Sequence, residues 1–337
     1  MKAILCRLCS IAPLLALAAA GAPAAAQAAD VAMKITTATV SDAQHEWMKL
    51  YAARVQKRLG DKIKIDLFPA GQLGAIPRMV EGLQLGTIEA FVTPTDFFTG
   101  VDPRYGIIGA PGVYKSMAHA AATLSDPSVR DELLSMGDAK GVKGVSVIAL
   151  GVPHYLSKKP IRRIADFNGQ KIRVNATKIE QEMMRRVGAS GVPMPLSEVQ
   201  PSLQQGVIDG FRSIMSIFTV GKYEAIAKTV TVTNDSVLIS LAALSKPWLD
   251  KQTAEIQKIL IDEGRAVTPE AQKWASDFIA GEGAKWTAVG GEIVELPAED
   301  RAELARRFAP IGDDVAKENP AAKALYDRIV ASAKKHS

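Results

Sequence analysis

The chain has 337 residues, 41 basic against 36 acidic side chains, a net charge of +5, two cysteines and 47% hydrophobic residues. So small a surplus of positive charge, spread without clusters, argues against an extended nucleic-acid surface. Both cysteines, Cys6 and Cys9, fall within the first ten residues, so the remainder is neither a disulfide scaffold nor a thiol enzyme.

The first 28 residues read as a secretory signal peptide. Lys2 and Arg7 form a basic start, Ile11 to Ala20 is almost wholly apolar, and Ala26-Gln27-Ala28 offers small residues at signal-peptidase spacing. The apolar run is too short for a bilayer, and no later stretch reaches the roughly 18 apolar residues that a membrane helix needs. Cleavage after Ala28 leaves about 309 residues, 39 basic and 36 acidic, a net +3 in an exported chain expected to be soluble. That length exceeds a usual single core, so two domains are expected. No Ser/Gly or Pro-rich tract links them, which implies lobes joined by short strand crossings.

Met33 to Thr39 alternates as a strand, and Ser41 and Asp42 can cap the helix whose buried face is Met48, Tyr51, Val55 and Leu59. Asp61 to Phe68 is a second strand, and Pro69 to Gly74 turns into a helix holding Met79, Val80 and Leu83. After Gly86 a strand ends near Phe91 and opens into the polar loop Thr93-Pro94-Thr95-Asp96. Val145 to Leu150, Tyr155 to Pro160 and Gln170 to Asn175 are further strands, Lys178 to Val187 a helix, and Val192 to Pro195 a short strand. Ser197 to Gln205 reads as a helix with Ser197 and Gln200 placed as a capping box. Trp248 to Trp286 is helical with a break near Pro269, and the last fifty residues hold one strand, Glu292 to Leu296, among amphipathic helices.

Within this order LQLGTIEAF, Leu83 to Phe91, returns as LQQGVIDGF, Leu203 to Phe211. In each copy an apolar helix end meets a glycine suited to a left-handed cap, Gly86 or Gly206, and a strand follows. Two similar α/β units facing each other make a clamshell, and the cleft between lobes is the place for a small ligand.

Catalytic signatures are missing. The sequence has no Gly-x-Ser-x-Gly elbow, His-Glu-x-x-His zinc site, Walker loop or dinucleotide fingerprint. His45, His119, His154 and His336 have no metal-ligand spacing, so neither metal nor cofactor is expected.

GQKIRV at Gly169 to Val174, RVGA at Arg186 to Ala189, VPMPLSEV at Val192 to Val199 and the second repeat form an ordered set. It resembles the solute-binding receptors of tripartite ATP-independent periplasmic (TRAP) transporters, of the dicarboxylate-receptor type. FPAGQLG at Phe68 to Gly74, and Lys222-Tyr223-Glu224 leading to Thr233-Asn234, extend the likeness over nearly the whole mature chain, weakening after about Asp250.

The resemblance implies a type II-like periplasmic-binding-protein clamshell, each lobe a mixed sheet flanked by helices, with a long C-terminal helical region. Residues 29–150 with about 236–265 would form lobe I, and 151–235 with about 266–337 lobe II. It implies a monomeric, non-enzymatic receptor that captures a small organic acid and delivers it to the membrane subunits of a TRAP permease. A receptor for an ABC-type importer, or a periplasmic enzyme acting on a carboxylate, is the alternative.

The arginine of the GQKIRV run, Arg173, is implied to hold the ligand carboxylate, since a planar guanidinium presents two parallel donors. Other positions depart from the family pattern. Phe211-Arg212-Ser213 follows Asp209-Gly210, with Ser213 where sialic-acid receptors carry a ligand-binding asparagine. Pro153 and His154 stand where those relatives have a second arginine, and Thr93 and Asp96 where they have an acid and an arginine. A highly anionic ligand is therefore disfavoured and a monocarboxylate favoured. Thr93, Thr95 and Asp96 are candidates for ligand hydroxyls, Leu196 and Phe211 for an apolar wall, Asn234 for a donor and Arg212 for a second cation. Alternation along the strand puts Arg212 opposite Phe211 and Ser213, so only one of those sets is expected in the cleft.

Overall fold

A computed structural model describes residues 31–337. The expected signal peptide, 1–28, lies outside the described residues. The chain opens with β1 (Val31–Thr37), α1 (Ala43–Leu59), β2 (Ile63–Phe68), α2 (Ile76–Leu85), β3 (Ala90–Pro94), α3 (Met117–Ser125), α4 (Pro127–Ser135) and β4 (Val142–Gly151). It continues as β5 (Pro153–Ser157), β6 (Lys171–Val174), α5 (Lys178–Arg186), β7 (Ser190–Pro193), α6 (Leu196–Gln205), β8 (Gly210–Ile214), α7 (Met215–Val220), β9 (Thr229–Val232) and β10 (Leu238–Ser245). The last part is α8 (Lys246–Leu249), α9 (Ala254–Ala266), α10 (Thr268–Ile279), α11 (Glu282–Ala288), β11 (Glu292–Glu295), α12 (Ala298–Phe308), α13 (Ile311–Ala316) and α14 (Pro320–Lys335).

The strands make two sheets, in the orders β2-β1-β3-β10-β4 and β11-β9-β5-β8-β6-β7. This is the expected two-lobed α/β architecture. The repeat occupies the same place in both lobes. β3 lies between parallel β1 and antiparallel β10, and β8 between parallel β6 and antiparallel β5. Each follows a helix closed by a glycine in the left-handed region, Gly86 at φ 81° and Gly206 at φ 77°. Side chains resist that conformation, so both caps need glycine. The chain crosses between sheets three times, at Val152, over 233–237 and through the helices between β10 and β11.

Asp42 caps α1, its carboxylate accepting from the amides of Gln44 and His45 at 3.1 and 3.0 Å. The helix then buries Trp47, Met48, Tyr51, Val55 and Leu59 on one face. That face shares a core with Ile35 and Val145 of the sheet and with Leu260 and Ala271 of α9 and α10. A second core is continuous across the lobes, running from Met79, Leu124 and Tyr105 to Ile172 and Met183, and on to Phe308 and Leu325. A third fills the far side of the second lobe around Phe211, Phe218 and Trp286.

The break expected near Pro269 falls at Val267, between α9 and α10, and Pro269 sits in the first turn of α10, where its missing amide hydrogen costs nothing. Two expectations are corrected. α6 begins at Leu196 behind Pro195 and has no side-chain cap, so Ser197 and Gln200 form no capping box. α10 packs on β4 and α1 of the first lobe, and α14 on α3 and α4, so 266–337 does not stay with the second lobe. The reason for α10 is chemical: β4 is an edge strand, and the Gln272 side chain satisfies both the amide and the carbonyl of Ala149, at 2.9 and 3.1 Å.

Candidate functional site

The C-terminal ends of β1, β3, β6 and β8 converge where the lobes meet, the usual ligand position in open α/β sheets. Between them lies a narrow cavity of about 40 Å³. The first lobe contributes Ala38, Thr39, Gln44, Ile76, Thr93, Pro94 and Phe97, and the second Pro153, Arg173, Asn175, Glu180, Leu196, Arg212, Ser213, Ile214 and Ile217. Leu150 and Leu238, beside the crossings at Val152 and 233–237, also line it.

Arg173 is 2% exposed, at the end of β6. Its Nε donates to the carbonyl of Met194 at 2.9 Å and its Nη1 to the carbonyl of Arg212 at 3.5 Å. These bonds hold the guanidinium plane while leaving its charge unopposed in contact: no carboxylate of the described residues lies within ion-pair distance. Burial pulls its pKa below the ordinary value, against the field of Glu180.

Arg212, 4% exposed, is the electrostatic opposite. Its guanidinium pairs with Glu180 through Nη1 and with Asp235 through Nη2 at 2.7 Å. Burial alone would lower its pKa, but these two acids hold it well above the usual value. Its Nε lies buried with no partner. Glu180 also accepts the amide of Asn175 at 2.5 Å, in the first turn of α5. Asn175 in turn donates from Nδ2 to Oδ2 of Asp96 in the first lobe, at 2.7 Å. Burial first, and the charge of Glu180 second, push the Asp96 carboxyl up to about 7.

Of the sequence candidates, Arg173, Thr93, Leu196, Arg212 and Ser213 line the cavity. Asp96 and Thr95 are buried but do not line it, Asp96 standing one layer behind Asn175 and Glu180. Phe211 does not line it either. Its ring packs against Phe218 and Tyr223 at 5.0 and 4.7 Å between centroids, inside the third core. Asn234 is exposed at φ 52° on the crossing segment, and its neighbour Asp235 makes the buried contact. Arg212 and Ser213 both reach the cavity because it lies at the end of β8, where residues from both sides of the pleat meet the same space.

Sequence reading missed Gln44, Asn175, Glu180 and Asp235. Asn175 carried a usable signal, standing two residues beyond Arg173 and so on the same side of the strand. Thr93 Oγ1 and Thr95 Oγ1 are buried without partners, as is His154 Nδ1. Burial lowers the His154 pKa to about 4, so it supplies no cation at neutral pH. Among the described residues no group of three or more His, Cys, Asp or Glu is placed to hold a metal, and no helix is long and apolar enough to cross a membrane.

The family model described as bacterial extracellular solute-binding protein, family 7, matches residues 35–319. The chain belongs to this family. Among family 7 relatives, a solute-binding protein of Verminephrobacter eiseniae is 30% identical over 244 residues, 72% of each chain. The 2,3-diketo-L-gulonate-binding periplasmic protein YiaO of Escherichia coli is 27% identical over 226 residues, 67% of this chain and 69% of that one. In structure the chain is similar to a TRAP periplasmic solute binding protein from Desulfovibrio salexigens with bound orotic acid, with a TM-score of 0.85 and 24% identity, covering 91% of this chain and 99% of that one. That likeness shows the two-lobed α/β fold.

Proposed function

We propose that this protein is an extracytoplasmic receptor that captures a small organic acid by one carboxylate on Arg173 and delivers it to a TRAP permease for ion-gradient-driven uptake. The observation that carries this reading is the contrast between two buried arginines: Arg212 is neutralised by Glu180 and Asp235, while Arg173 is held by carbonyls alone and faces the cavity. A buried cation without a counter-ion is costly, and a planar carboxylate satisfies it through two parallel donors. The names of the relatives support the same ligand class, sugar acids for YiaO and an aromatic acid for the D. salexigens receptor.

A second ligand carboxylate would meet Glu180 and the Asp96 layer without a free cation to offset them, which favours a monocarboxylate. The remaining wall is largely apolar, through Ile76, Phe97, Leu196, Ile214 and Leu238, while the unpartnered Thr93 Oγ1 offers one hydrogen bond. The function is reversible binding without turnover, in the periplasm, after removal of residues 1–28.

A thermal-shift screen over orotate, benzoate, pyruvate, L-gulonate, 2,3-diketo-L-gulonate, succinate and malate tests the reading. A ligand at 100 times its Kd adds about 2.7 kcal/mol of stability. Stabilisation by at least one monocarboxylate is expected. Stabilisation by succinate or malate alone refutes the single-carboxylate pocket, and consumption of any of these acids refutes a pure receptor.

A further inference from the structure

Asp96 stands on a short turn after β3, in the first lobe, yet its side chain is part of a buried polar chain belonging to the second. From Asp96 Oδ2 the contacts run to Asn175 Nδ2 at 2.7 Å, from the Asn175 amide to Glu180, from Glu180 to Arg212, and from Arg212 to Asp235 on the crossing segment. The Asp96–Asn175 hydrogen bond thus joins the lobes directly behind the cavity wall.

The charges around Asp96 are few and can be named by element. α5 presents the acid Glu180, β6 the cation Arg173, and β8 the cation Arg212, already paired. The turn at Pro103–Ile107 carries Arg104, which is bound to Asp102 and Glu132. On α2, Arg78 and Glu81 are exposed, and the packed part of β10 carries no charge. The hydrogen bond from Asn175 and two cationic fields therefore favour ionised Asp96, while burial and Glu180 oppose it. An anion bound on Arg173 cancels one of those favourable fields.

Building on the carboxylate reading of the cavity, we infer that Asp96 is a positioning residue that takes up a proton when an acid binds, while its carboxyl still accepts the interlobe hydrogen bond from Asn175. The proton comes from solvent and neutralises a carboxylate; no covalent bond of the ligand changes. Ligand capture is thereby coupled to pH, and affinity falls as pH rises through the neutral range, where the free receptor has lost this proton.

Two measurements test this. In unliganded protein carrying carbon-13 at Asp side-chain carboxyls, one resonance absent from Asp96→Asn should titrate near neutrality; Asp96 titrating with the ordinary carboxylates overturns the inference. Calorimetry of the tightest-binding acid from the panel above, in phosphate and in Tris, should show net proton uptake and a Kd rising several-fold, up to about tenfold for each unit by which the ligand raises the Asp96 pKa, between pH 6 and 8.5. Asp96→Asn keeps an acceptor for Asn175 and should bind with no proton uptake and a flat pH profile. Asp96→Ala lacks the acceptor and should bind more weakly at every pH. Equal proton uptake by wild type and Asp96→Asn overturns the inference. If no acid in the panel binds, the carboxylate reading and the ligand linkage fall together, whereas the carbon-13 titration separates that result from a merely misassigned proton.

Discussion

Arg173 and Arg212 touch, the Nη1 of the first reaching the main-chain carbonyl of the second at 3.5 Å, and yet only one of these neighbouring cations is neutralised. Arg212 stands between two buried acids; Arg173 has none. On the reading proposed above the two have distinct parts, Arg212 holding the second lobe and its crossing segment together and Arg173 left for an anion. It also makes the two arginines separable by mutation.

Arg173→Lys retains the charge but not the pair of parallel donors. Binding of the selected acid should weaken by about 2 to 4 kcal/mol while the unfolding midpoint stays near wild type. Unchanged affinity in titration calorimetry removes Arg173 from the binding site.

Arg212→Met should act on the fold. It leaves Glu180 and Asp235 buried without their shared cation, a loss of about 3 to 5 kcal/mol, visible as a lower urea midpoint in ligand-free protein. A loss below about 1 kcal/mol would mean that Arg212 is not structural.

The Asp96 carboxyl also governs stability against pH. Its folded pKa lies above the unfolded value of 3.8, so the folded chain holds the extra proton between about pH 4 and 7. Its contribution therefore worsens as pH rises through that window and is fully unfavourable above it. Asp96→Asn should gain on wild type from pH 5 to pH 8, by something on the order of 1 to 4 kcal/mol, in denaturant melts at each pH. A pH-independent difference contradicts the buried, proton-holding carboxyl.

Ligand should change the shape of the molecule. The cavity is lined from both lobes and the lobes are joined by crossings at Val152 and 233–237, so an acid gripped from both sides stabilises the closed arrangement. Small-angle scattering should give a smaller radius of gyration at saturation; identical profiles with and without ligand indicate a rigid receptor.

Export leaves a chemical trace. Protein recovered from the periplasm should begin at Ala29 by N-terminal sequencing, and a chain retaining Met1 would show that residues 1–28 are not removed.

The two-lobed α/β plan was legible in the chain because its signals are local and periodic: alternating strands, a helix face at Met48, Tyr51 and Val55, and a repeated glycine cap whose left-handed geometry no other residue takes readily. The place of Arg173 on the cavity wall was legible through the GQKIRV run. What remained hidden depends on pairings between residues far apart in the chain. Whether Phe211 lines a cleft or fills a core, and whether Arg212 is free or bound, are decided by Phe218 and Tyr223 in one case and by Glu180 and Asp235 in the other. Asp96 is the plainest instance. Its sequence neighbours are threonines and phenylalanines, but its charge state is set by burial and by Arg173, Asn175, Glu180 and Arg212, all more than seventy residues further along the chain. Short-range propensity fixes which segments are strands and helices, whereas electrostatic fields and packing act through space, so only the assembled lobes decide which polar side chains are neutralised and which face the ligand space.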